Sequence, residues 1–138
     1  MNDRIQALVD ELSKCETPES RYKLLIKKGR DLPVLNPDQR DDKFLVEGCL
    51  SKAWLVPSFN DGIVKFYADS EAAIVKGIMA VLLDVYSGLS PQEIVDQDAK
   101  FLSDVGIVDH LSMNRRNGLS NFLKQIKLYA TVFNSMPR

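Results

Sequence analysis

Apolar residues recur along this chain with two different periods, and the switches between them mark out its elements. Ile5, Leu8, Val9 and Leu12 fall at helical spacing behind Asn2 or Asp3, which predicts a first helix ending near Cys15. Thr17-Pro18-Glu19 predicts a second start, with a capping Thr, Pro in the first turn and an acid at the positive end of the helix dipole. Its buried stripe is Tyr22, Leu25 and Ile26, and Gly29 is the expected stop. Asp31 to Asp38 reads as an extended loop, because Pro33 and Pro37 lack the amide donor a helix needs. Strand-like runs follow at Lys43–Glu47, Lys52–Phe59 and Ile63–Ala68, the last with Val64, Phe66 and Ala68 on one face. Asn60-Asp61-Gly62 is a hairpin signal between the second and third runs.

Helical spacing then returns. Asp69-Ser70-Glu71 is expected to cap a helix from Ala72 to Tyr86, the most apolar of the chain. Its polar side narrows to Lys76, Asp84 and Ser87 beside Ala73 and Ala80, so it should cover the sheet and end at Gly88. Ser90-Pro91-Gln92-Glu93 is a capping box that opens a short helix through about Gln97. Phe101 to Val105 predicts another helical piece closed by Gly106. A last helix begins near Ser112 or Asn114, with Leu119, Phe122, Leu123, Ile126, Tyr129, Ala130 and Phe133 as its stripe. This order predicts an α+β fold, a small three-stranded antiparallel sheet packed against helices, in a single domain over residues 1–138.

Composition narrows the function classes. With 138 residues and 45% hydrophobic content, the chain can build a core without a metal or a disulfide. A net charge of -1 leaves no basic footprint for nucleic acid. The longest uninterrupted apolar run, Ile78 to Leu83, is far short of the roughly 20 residues of a membrane span. The first residues lack the pattern of a secretory leader, so a cytoplasmic location and reduced thiols are expected.

Candidate chemistry is limited by two cysteines and one histidine. Cys15, Cys49 and His110 are far apart and form no CxxC or HxxxH motif, so no metal is expected, and a non-catalytic metal-cluster scaffold would need further ligands. A cysteine hydrolase would pair Cys49 with His110, oriented by Asn114 or Asn117. No local signature of such an enzyme is present, and glycine-rich phosphate loops and HExxH motifs are absent as well. Cys15 sits at the end of an amphipathic helix as a packed or half-exposed bystander. Cys49 stands on a Gly48-Cys49 corner between two strand-like runs, either as a small buried hydrophobe or as a displayed thiol.

Three segments together decide between those readings. Glu47-Gly48-Cys49-Leu50-Ser51-Lys52-Ala53-Trp54, Asp69-Ser70-Glu71-Ala72-Ala73-Ile74-Val75-Lys76-Gly77 and His110-Leu111-Ser112-Met113-Asn114-Arg115-Arg116-Asn117-Gly118 resemble the SufE family of sulfur-acceptor proteins, including its CsdE branch. The resemblance runs over nearly the whole chain and implies a SufE/IscU-like fold. It also implies a pyridoxal-phosphate cysteine desulfurase of the SufS or CsdA kind as partner, the cofactor residing there and none on this chain. Cys49 would take the terminal sulfur of the partner's persulfide and pass it to an iron–sulfur scaffold or another acceptor, in iron–sulfur cluster assembly.

The residue chemistry is compatible with that role. Transfer of sulfane sulfur is a displacement by a thiolate, needing no metal. Gly48 gives the clearance and hinge freedom to reach another protein, and Leu50 can cover the thiol at rest. Lys52 is either thiolate support or a solvated charge. Glu71 is a helix cap or a docking contact, and Arg115 a docking or thiol-loop contact or a structural residue. Trp54 is expected in the core, and Asn117-Gly118 is expected to shape the start of the last helix.

Overall fold

Side-chain caps set where several helices begin. The computed structural model describes residues 2–47, 51–104 and 112–136. Helix α1 spans Asn2–Ser13 and α2 spans Pro18–Arg30. Thr17 Oγ1 accepts from the Ser20 amide at 3.1 Å and Ser20 Oγ from the Thr17 amide at 3.1 Å, a reciprocal box that satisfies amides the helix leaves unpaired. The predicted stop at Gly29 is corrected, because the helix runs on to Arg30 and Gly29 is a packing position. It meets Gly77 of α3, which spans Ala73–Tyr86. A Cβ at Gly29 would lie 2.8 Å from the Gly77 amide nitrogen, and one at Gly77 2.1 Å from the Leu25 carbonyl oxygen, so the two helices touch backbone to backbone. At their polar rim the Lys28 ammonium joins three helices, 2.7 Å from Glu11 and 3.0 Å from Asp84. Burial alone would lower the Lys28 pKa, but these two carboxylates outweigh it and raise it.

The cap expected of Asp69-Ser70-Glu71 is also corrected. Helix α3 starts one residue later with Ala72 at its N-cap and no side-chain cap there, while Asp69 and Ser70 finish a strand. Strands β1 (Ala53–Asn60) and β2 (Ile63–Ser70) pair antiparallel from Ala53↔Ser70 to Asn60↔Ile63. Asp61 and Gly62 both take positive φ, 54° and 77°, the geometry that matches a tight turn to the twist of a hairpin.

The sheet among the described residues has two strands, and the first predicted strand, Lys43–Glu47, is reduced to one bridge. Lys43 and Phe44 donate their amides back to the Asp41 side chain and carbonyl, at 3.0 and 2.9 Å, winding Asp42–Phe44 into a 3-10 turn. Donors spent locally cannot join a ladder. What survives is a bridge from Leu45 to Trp54 and a 2.9 Å bond from the Val46 amide to the Ala53 carbonyl.

Alternation along the hairpin gives its two faces different neighbours. Leu55, Val64, Phe66 and Ala68 join the main core with Ile78, Leu82 and Val85 of α3, as the alternation of Val64, Phe66 and Ala68 predicted. Trp54 and Val56 form a second, smaller cluster with Leu35, flanked by Phe44, Leu45 and Tyr67. The loop around Pro33 and Pro37 is thus more than a connector: it lays Leu35 on the sheet.

Helix α4 (Pro91–Asp96) begins with the predicted Ser90–Glu93 box, α5 spans Phe101–Asp104, and α6 spans Met113–Asn134 behind a Ser112 cap. Lys127 of α6 donates to the carbonyls of Ile94, Val95 and Gln97, and the Tyr86 hydroxyl donates to those of Gln97 and Asp98 at 3.1 and 3.2 Å. Two side chains therefore satisfy the end of α4. Phe59 stacks on Phe133 with ring centroids 4.9 Å apart, fixing the far end of α6 on the hairpin. No helix among the described residues is long and apolar enough to cross a membrane.

Candidate functional site

Both arms of the predicted cysteine corner are anchored at the open end of the hairpin. The incoming arm is held by the Leu45–Trp54 bridge and the Val46–Ala53 bond. On the outgoing arm the Lys52 carbonyl accepts from the Glu71 amide at 3.0 Å and from Ser70 Oγ at 3.0 Å. Gly48, Cys49 and Leu50, which the sequence singled out, lie outside the described residues, as does His110. Their anchors do not, and they tie the stem to the segment that leads into α3.

Beside this stem opens a cavity of about 370 Å³. Ser51 forms part of its wall, with Ala72, Val75, Ile78 and Met79 on one side and Ser112, Arg115, Gly118, Leu119 and Phe122 on the other. The first turns of α3 and α6 therefore converge on the outgoing arm. Most of the lining is apolar, and its polar residues are Ser51, Ser112 and Arg115. Ser112 Oγ is engaged as the α6 cap, accepting from the Arg115 amide at 3.3 Å. Such an enclosure favours a neutral, polarisable group over a charged one, because removal from water penalises ionised forms.

The remaining candidates separate clearly. Arg115 is exposed yet borders the cavity. Lys52 and Glu71 are exposed neighbours joined through the backbone; the Glu71 side chain caps nothing, and its amide serves the stem. Asn117 and Gly118 lie inside α6 rather than at its start, and Gly118 is buried against the cavity. Cys15 is half-buried, its thiol 3.9 Å from the Glu11 carbonyl. Among the described residues no group of three His, Cys, Asp or Glu side chains converges on a point that could hold a metal ion.

Sequence reasoning missed the ionic cluster behind the stem. Asp69 is only 5% exposed and is paired with Arg40 and with Lys76, whose Nζ lies 3.2 Å away. It also accepts from the Ser70 amide at 2.8 Å. Burial pushes its carboxyl up, but the Ser70 amide, Lys76 and Arg40 together outweigh this and hold it below its usual range. The Arg40 guanidinium lies over Trp54, 5.8 Å from the ring centroid. An available signal was the Asn60-Asp61-Gly62 turn, since counting back from it sets Asp69 opposite Trp54, where a buried carboxylate needs a cation.

The family model described as "SufE: Fe-S metabolism associated domain" matches residues 6–130. A solution structure of a hypothetical protein from Thermus thermophilus has the same fold, with a TM-score of 0.80 over 96% of this chain and 97% of that one, at 17% identity.

Proposed function

This chain belongs to the SufE family, whose domain is associated with Fe-S metabolism, and on that premise we propose that it is a sulfur acceptor and activator of a cysteine desulfurase. The observation that carries the reading is the family match, which extends over residues 6–130 and so includes position 49. The anchored stem and adjoining cavity support it, since they provide a fixed mount and a mostly apolar enclosure two residues along the chain from Cys49.

In the proposed reaction the Cys49 thiolate attacks the terminal sulfur of a persulfide on the partner's cysteine. A new sulfur–sulfur bond forms at Cys49 as the old one breaks, and the partner's cysteine leaves as its thiolate. No external oxidant or reductant is consumed, because a persulfide is lost on one protein and gained on the other. The pyridoxal phosphate that makes the first persulfide belongs to the partner, and this chain needs no cofactor of its own. A second displacement hands the sulfur to an iron–sulfur scaffold or another acceptor.

The cavity serves the idle state in this scheme. An un-ionised thiol is poorly nucleophilic and slow to oxidise, so a mostly apolar surface beside the stem suits an acceptor at rest. Arg115, exposed at the cavity border, supplies positive charge for docking an acidic group of the partner. Glu71 and Lys52 belong to the exposed surface around the stem and serve docking.

The test is direct. Incubation with a cysteine desulfurase and free cysteine should add one sulfur atom, located at Cys49 by mass spectrometry. Cys49→Ser should abolish activation of the desulfurase, and Cys15→Ser should leave it intact. Full activation by Cys49→Ser would overturn the proposal.

A further inference from the structure

We propose that Asp69, clamped between Arg40 and Lys76, is a positioning residue for sulfur transfer at Cys49. Its charge fixes the stem of the cysteine corner relative to the cavity wall, and so sets the rate of transfer rather than the affinity for the partner. The inference rests on the sulfur-acceptor reading and goes beyond it by assigning a role to residues outside the cavity.

The cluster is built from three separate parts of the chain. Arg40 comes from the loop before the stem, Asp69 from the end of β2, and Lys76 from the first turns of α3. Asp69 is the buried charged side chain among the described residues, and because Arg40 and Lys76 stay partly exposed its pairs add little net stability beyond offsetting its burial. A buried carboxylate held by two partly exposed cations can instead specify geometry.

What the cluster can orient is visible in its contacts. Asp69 sits in register with Trp54, and Trp54 carries both the Leu45 bridge of the incoming arm and the Arg40 guanidinium over its ring. Ser70, whose amide the Asp69 carboxylate holds, gives its hydroxyl to the Lys52 carbonyl of the outgoing arm. Lys76 lies between Val75 and Gly77, in the same stretch of α3 as the cavity residues Val75, Ile78 and Met79. One carboxylate thus links both arms of the stem to the helix that forms the cavity wall. Small displacements of a reacting group are costly, up to roughly a hundredfold for an error of about 1 Å.

The experiment uses the full chain in the desulfurase activation assay, titrated to saturation. Asp69→Asn keeps an oxygen for the Ser70 amide while removing the charge. Its maximal activation should fall by about tenfold, with the half-saturating concentration unchanged within about twofold. Arg40→Gln acts from the partly exposed end of the pair and provides a second variant should Asp69→Asn not fold. It should give the same split, and the double variant should be no worse than the poorer single.

Alkylation of the free protein by iodoacetamide separates this inference from the acceptor reading. Asp69→Asn, or Arg40→Gln in its place, should change the Cys49 rate and leave the Cys15 rate as in the parent, whether or not the parent takes up sulfur. Failure of the parent to take up sulfur sinks the acceptor reading alone. Unaltered maximal activation, a loss confined to half-saturation, or equal changes at both cysteines would overturn the positioning role.

Discussion

The two faces of the hairpin are held by different physics. On the α3 face, helices and strands meet through apolar side chains, and α2 reaches α3 closely enough that Gly77 has no room for a methyl group. On the Trp54 face a small cluster is finished by a guanidinium and a buried carboxylate at the edge where the stem leaves the sheet. Apolar packing is non-directional and supplies stability, whereas a charge-assisted bond has a preferred geometry. The difference assigns stability to one face and orientation to the other.

The sharpest way to break that assignment is Gly77→Ala. The new Cβ would fall 2.1 Å from the Leu25 carbonyl oxygen, so α2 must move away from α3. Urea unfolding should show a loss of about 3 kcal/mol or a protein that does not fold. An unchanged midpoint would show that the helix contact is not what supports the core.

Tyr86 sharpens the same side through pH. Its side chain is fully buried, and burial, followed by the nearby Asp98 charge, pushes its pKa up to about 12. A folded pKa raised above the ordinary 10.0 means a contribution that is complete below pH 10 and lost as the pH rises toward 12. Tyr86→Phe should cost about 1–2 kcal/mol at neutral pH, because the Gln97 and Asp98 carbonyls lose their donor. The variant should also lose stability less steeply between pH 10 and pH 12. A wild-type alkaline limb identical to that of the variant would refute the assignment.

The smallest effect belongs to Asp69 as a stabiliser. Its folded pKa is depressed below 3.8, so its contribution is present above that value and disappears as the pH falls through the folded pKa. Because Arg40 is half exposed, solvent screening makes the gain modest. Thermal melts from pH 5 to pH 2 should therefore converge slightly for wild type and Asp69→Asn. Wide divergence at neutral pH would make Asp69 a stability residue and erase the contrast between the faces.

Much of the fold was legible because its signals are local. The Thr17 and Ser90 starts depend on residues three apart, and the Asp61–Gly62 turn on two residues that tolerate positive φ. The failures were tertiary. Lys43-Phe44-Leu45-Val46 has strand composition, but the Asp41 side chain captures its first amide. Gly29 looked like a stop because nothing in sequence announces that Gly77 will meet it. The site divides in the same way: the Cys49 corner was recognisable as a motif through its resemblance. Ser51, Met79 and Phe122 share a cavity only because α3 and α6 converge there.

The borders of the hairpin limit how another protein can attach. Along β2 the Val64 amide is taken by the Leu89 carbonyl at 2.8 Å and the Phe66 amide by Ser87 Oγ at 2.9 Å. Along β1 Pro57, in register with Phe66, has no amide to offer, and Leu45 occupies the edge at Trp54. An incoming peptide would find few open donors with which to extend the sheet. Recruitment by strand addition is thus disfavoured, and the ribbon is shielded from stacking edge to edge with copies of itself.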